Sequence, residues 1–170
     1  MSEIHATVVQ LSKMLQNLDS WLTKASEYAK QKNFDANILV DARLAPDMYP
    51  LSRQVQAAAD GAKFLAARLS GKEPPKHADN ERTIEELHAR IGSVREYLKT
   101  FSAGDFEGAG SRVVPLGFMP GKGLTADDFR HQMNLPNTYF HVCMAYAILR
   151  HNGVPLAKPD YIGGLDLKSV

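Results

Sequence analysis

The chain has 170 residues, with 20 Lys and Arg against 19 Asp and Glu for a formal net charge of +1. That balance supplies no global field to draw in nucleic acid or an anionic membrane, and its basic residues, interleaved with acids, read as a solvated surface. One cysteine cannot make an internal disulfide, "MSEIHATVVQLSKML" lacks the basic start of a signal peptide, and no window nears the about 18 apolar residues of a bilayer span, so one cytoplasmic domain over residues 1–170 is expected.

Ile4, Val8, Leu11, Leu15, Leu18, Leu22 and Ala25 recur at three- and four-residue steps. This spacing predicts a long amphipathic first helix ending near Lys32. Pro46 and Pro50 keep a helix from running through the connection that follows. Pro50 also suits an early helical position and Gly71 a C-terminal stop, which bracket a second helix. Its stripe is Leu51, Val55, Ala58, Ala62, Leu65 and Leu69, and the alanines predict close approach of a neighbouring helix. "KEPPKHADNE" is a polar, proline-broken loop. Thr83 with Glu86 fits a capping box, opening a third helix with Ile84, Leu87, Ile91, Val94, Leu98 and Phe101 inward.

From Ala103 to Gly123 the chain carries six glycines and two prolines. This predicts a loop excursion in which "SRVVPLGF" forms one short strand or half a hairpin. Thr125 with Asp128 caps a short helix over Ala126 to Met133. The last helix is expected from around Pro136 to Gly153, with Arg150 and His151 in its final turn. No charged residue lies between Tyr139 and Leu149, so other helices should surround it. Four long helices with one central element make an all-α four-helix bundle. The tail, "PLAKPDYIGGLDLKSV", reads as extended, with Tyr161, Ile162 and Leu165 packing on the bundle or on a second subunit.

The last helix also holds the candidate chemistry. Asn137 and His141 are four residues apart and share a face, roughly 6 Å apart at the backbone. Two histidines so spaced would mark a metal site; an amide oxygen is a poor ligand for zinc-like ions. The plainer reading is that His141 is hydrogen-bonded in the core while Asn137 caps the first turn. Gln54 shares a helical face with Leu51 and Ala58, so it points inward and needs a partner, for which His141 is a candidate. Asp47 and Tyr49 precede that helix and could reach the same end of the bundle. Asp47, Tyr49, Gln54, Asn137 and His141 are therefore the candidate pocket, set against a plain cap for Asp47 and a rim position for Tyr49. Cys143 falls near the opposite helix face from His141 and reads as a small hydrophobe. "MPGKG" resembles a phosphate loop but fails its glycine spacing and lacks the Ser or Thr after the lysine.

"RLAPDMYPLSRQVQAAADGAKF", "LPNTYFHVCMAYAILRHNGV" and the closing "DYIGG" resemble an uncharacterised bacterial domain-of-unknown-function family. That family is placed in the DinB/YfiT-like superfamily of four-helix bundles. The resemblance spans the chain and implies a DinB-like bundle, often a homodimer, with the Gly/Pro-rich loop inserted before the last helix. The wider superfamily includes metal-dependent enzymes, thiol-dependent transferases and hydrolase-like members among them, that use one histidine from the second helix and an H-x-x-x-H pair from the last. Matched on "LRHNG", His141 takes the second position of that pair, Asn137 the first, and Gln54 falls near the second-helix ligand. One of three ligands is kept, and a catalytic zinc would lack its usual three protein ligands.

Three expectations follow. The first is a bundle whose metal triad has become a hydrogen-bonded pocket, without a cofactor and with water or a small molecule inside. The second is an enzyme with an altered ligand set, His141 holding zinc or nickel or working with Asp47. The third is a structural homodimer subunit, with a surface formed by the first and last helices.

Overall fold

The structure, a computed structural model, describes residues 2–169. Helix α1 spans Glu3–Lys32, and every member of its predicted stripe is buried together with Trp21. It ends where Asn33 turns left-handed, at φ 58°, and returns its N–H to the Ala29 and Lys30 carbonyls. The connection carries a 3-10 segment, Ala36–Asp41, with Leu39 and Val40 packed inward. Helix α2, Leu51–Ser70, starts after Pro50 and stops at Gly71, whose φ of 82° suits a residue without Cβ. Helix α3, Ile84–Lys99, begins with the Thr83–Glu86 capping box formed in both directions.

The excursion contains a small hairpin. Strand β1, Val113–Pro115, runs antiparallel to β2, Gly123–Thr125, in the register Val113 to Thr125, Val114 to Leu124 and Pro115 to Gly123. Beyond it the sequence expectation needs correcting. A break was expected before Pro136, but the chain stays helical from Ala126 to His151. A first turn, α4 (Ala126–Asp128), leads into a widened π turn over Phe129–Asn134 and then into α5, Leu135–His151. The N–H of Leu135 bonds the Arg130 carbonyl, five residues back. Pro136 has no N–H to donate, and a wide turn just ahead of it absorbs the lost bond without ending the helix. Asn137 therefore lies inside α5 and caps nothing.

The tail needs a second correction. It forms a short helix, α6, over Lys158–Ile162. The Asp160 carboxylate accepts the Ala157 N–H at 2.8 Å and pairs with Lys24 of α1 at 2.5 Å, which stabilises a turn that composition alone reads as extended. Tyr161 stacks on Trp21 with centroids 5.8 Å apart, as expected of its packing, whereas Leu165 is 63% exposed.

Helix α2 packs against both α5 and α3, and α1 against all three. The alanine face of α2 does bring α5 close. A Cβ built on Gly61 would lie 2.1 Å from Thr138 Oγ1, so only glycine permits this crossing. The cations are not all surface groups. Arg90 and Lys63 are buried between α2 and α3, where Arg90 bonds Asp60, Asp79 and Glu81 at 2.6, 2.7 and 3.0 Å. This cluster fastens the 72–83 loop to the bundle. Burying a guanidinium is tolerable only when carboxylates replace its water. No helix among the described residues is long and apolar enough to cross a membrane.

Candidate functional site

His141 and Gln54 face each other across the α2–α5 crossing, and both are buried. Their hydrogen bond, Nδ1 to Oε1, measures 2.8 Å. The other end of the Gln54 amide, Nε2, donates to the backbone carbonyl of Tyr49 at 3.2 Å. This second contact decides the first. A carbonyl only accepts, so the amide NH2 must face Tyr49 and the amide oxygen must face the ring. His141 Nδ1 therefore carries the proton, and in the neutral imidazole the lone pair lies on Nε2. That atom has no protein partner among the described residues and keeps contact with solvent. Burial, and then the positive charge of Arg53, holds the imidazole below its ordinary pKa of 6.5, so the ring is neutral at pH 7.

The other candidate residues lie elsewhere. Asp47 is exposed and makes no hydrogen bond to His141. Tyr49 contributes its carbonyl, while its side chain is 56% exposed. Asn137 is exposed and lines a separate cleft of about 210 Å³, with Arg53, Asp60, Phe64, Phe129 and Asn134 among its walls. His141 and Gln54 do not line that cleft. Of the five residues, the Tyr49 carbonyl, Gln54 and His141 form a relay, Asn137 lines a separate cleft one helical turn away, and Asp47 joins neither. Cys143 is half-buried, with its Sγ 3.2 Å from the Tyr161 hydroxyl. Burial, and then that thiol contact, pushes the Tyr161 hydroxyl above its usual range.

Sequence reasoning missed three contributors. Arg53 acts through its charge on His141 and pairs with Asp79 at 3.1 Å. Asn134 is buried, donates to the Gly61 carbonyl at 2.9 Å and leaves its Oδ1 unpartnered. Thr138 is buried with an unpartnered hydroxyl. The available signal was polar spacing: Asn134, Thr138 and His141 recur every three or four residues and so share one face of the helix.

A family model described as a domain of unknown function, DUF1993, matches residues 4–162. The chain belongs to this family. A search of curated proteins gives no match for it. Among solved structures, this DUF1993 chain is similar to a protein described as a DinB family member from Shewanella denitrificans. The two are 45% identical over 96% of this chain and 93% of that one, with a TM-score of 0.92. The DUF1993 domain is therefore an all-α, DinB-like bundle.

The superfamily implies a metal, and the donor set of this DUF1993 domain fits one poorly. The second-helix position is held by Gln54, whose oxygen is bonded to Nδ1 of His141, while the ring's lone pair is on Nε2 at the other side. An oxygen placed there cannot also face a cation on Nε2. Among the described residues no group of three or more His, Cys, Asp or Glu is gathered to hold a metal ion.

Proposed function

We propose that this DUF1993 protein is a non-catalytic, small-ligand-binding bundle in which His141 Nε2 accepts a hydrogen bond from an N–H or O–H of the ligand. The observation that carries the reading is the relay from the Tyr49 carbonyl through the Gln54 amide to the His141 ring. A backbone carbonyl fixes the amide, the amide fixes the tautomer, and the tautomer leaves one acceptor facing outward. The low basicity of the ring supports this, because an imidazole neutral at pH 7 keeps its lone pair free. In place of a metal triad stands a site that recognises a donor.

The alternative is a metal-dependent enzyme in which Nε2 ligates zinc or nickel. Mass spectrometry of untagged protein, prepared without chelators and reconstituted with zinc, nickel and manganese, decides between them. The binding-bundle reading expects no stoichiometric metal in wild type or in His141→Ala. One equivalent of metal, lost in His141→Ala, would overturn it and install the enzyme reading.

A further inference from the structure

On the far side of Arg68 from the Asn137 cleft, the β1–β2 hairpin and α2 border a second, open cleft of about 680 Å³. Its walls carry three cations, Arg68, Arg112 and Lys122, and no carboxylate, while Val114, Leu116 and Pro120 supply an apolar side. Several cations elsewhere in the chain are neutralised: Arg53, Lys63, Lys72, Arg90 and Arg130 each contact at least one carboxylate. None of the three cleft cations does so among the described residues.

Two of them are held in place all the same. The Arg68 guanidinium lies 5.3 Å from the ring centroid of Phe64 and 5.4 Å from that of Phe129, seated between two aromatic faces. Arg112 donates through Nη2 to the Ser70 carbonyl at 3.1 Å, and its Nη1 lies 2.7 Å from where a Cβ on Gly71 would sit. Aromatic faces and a carbonyl position a guanidinium without cancelling its charge. The cleft thus presents positive groups whose ordering is already in place and whose counter-charge is missing, the arrangement that favours an anion from outside.

We propose that this cleft binds a phosphate monoester carrying an apolar body. Guanidinium forks match phosphate oxygens, and a monoester near pH 7 carries between about one and a half and two negative charges, nearer to three cations than a carboxylate's one. The apolar side receives the ester's organic part, and the cleft volume falls within the range of about 300–1,000 Å³ of small-molecule sites. "MPGKG", which fails the phosphate-loop pattern, enters here in another way: its Lys122 reaches the cleft from a hairpin, so side chains rather than backbone N–H groups would hold the phosphate. This inference uses none of the His141 relay and stands apart from it.

Calorimetric titration of the whole chain with phenyl phosphate at low salt tests it. Saturable one-to-one binding that weakens as salt rises is expected. Arg68→Gln and Arg112→Gln should each weaken it about tenfold or more. Arg68→Lys, which keeps the charge but loses the fork, should fall between, and Lys30→Gln, an exposed charge on α1, should leave it unchanged. Inorganic phosphate should bind more weakly than the ester. Vesicles containing phosphatidic acid, tested by sedimentation, separate a lipid headgroup from a soluble ester; arginine-dependent binding of either sustains the assignment. Absence of binding to both probes, or binding indifferent to Arg68 and Arg112 in variants that melt like wild type, overturns it. Inorganic phosphate bound as tightly as the ester removes the apolar body.

Discussion

Replacing Gln54 with Met keeps the side chain's length and removes both of its hydrogen bonds. The Tyr49 carbonyl belongs to a half-exposed turn and recovers a water. The buried Nδ1–H of His141 recovers nothing, and a stranded buried donor costs about 1–3 kcal/mol. Sparing the amide its own burial offsets part of this, leaving a net loss of about 1–2 kcal/mol. A chain of this size shifts by about 2–4 °C per kcal/mol, so Tm should fall by about 2–8 °C. The ring has a further response open to it. With no acceptor at Nδ1, the proton is better placed on Nε2, which meets solvent, so the variant should change tautomer. Long-range proton–nitrogen NMR on selectively labelled histidine reads this directly: wild type should show Nδ1 protonated, and Gln54→Met should show the protonated signal on Nε2. An unchanged tautomer together with an unchanged Tm would refute the relay and the reading built on it.

Gly61→Ala gains helix propensity of about 1 kcal/mol but drives a methyl into Thr138, whose Oγ1, Cβ and Cγ2 all lie within 3.3 Å of its position. Overpacking of about 1–3 kcal/mol should prevail, and urea midpoints should show Thr138→Ala restoring most of the loss. Arg90→Leu leaves Asp60, Asp79 and Glu81 without their shared cation. It should cost about 3–5 kcal/mol, and limited proteolysis should find the 72–83 loop cut first. His77 accepts from Lys63 at 3.2 Å and bonds Ser93 at 3.1 Å; burial, then Arg90 and Lys63, holds it below its ordinary pKa of 6.5, as burial and Arg53 hold His141. The unfolded chain takes up these protons first on acidification, so the stability due to both rings is complete above about pH 6.5 and declines as pH falls through their lowered values. Chemical denaturation between about pH 7.5 and pH 5 should show the decline, shallower in His77→Phe; a flat profile would contradict both assignments.

Periodicity made the bundle legible because each long helix hides one stripe, and burial is what hydrophobic spacing reports. The Thr83–Glu86 box and Gly71 were equally readable, since capping is local chemistry. The π turn at Phe129–Asn134 was not: Pro136 signals that a hydrogen bond is missing but not how the backbone absorbs the loss. Gln54 and His141 were legible as inward polar residues that needed partners. The separation of Asn137 and Asp47 from them was not, because it depends on rotation about α5 and on the path of the 42–50 turn. Arg90 shows the reverse error. A charge in sequence reads as surface, and only the convergence of Asp60 from α2 with Asp79 and Glu81 from the 72–83 loop makes its burial possible.

The wide turn ahead of Pro136 also gives the fold an unusual response to insertion and deletion. Each residue advances an α-helix by about 100°. Deleting one residue between Phe129 and Asn134 could restore regular α-helical bonding, and the helix would survive the loss. Six residues wound at the wider pitch cover about the same angle as five at about 100° each, so what lies N-terminal to the deletion would keep its facing toward Thr138 and His141. Phe129 would stay beside Arg68, and the hairpin would stay with it. A single-codon deletion is therefore absorbed at this turn, whereas the same deletion in the middle of α2 would rotate half of that helix by about 100° out of register.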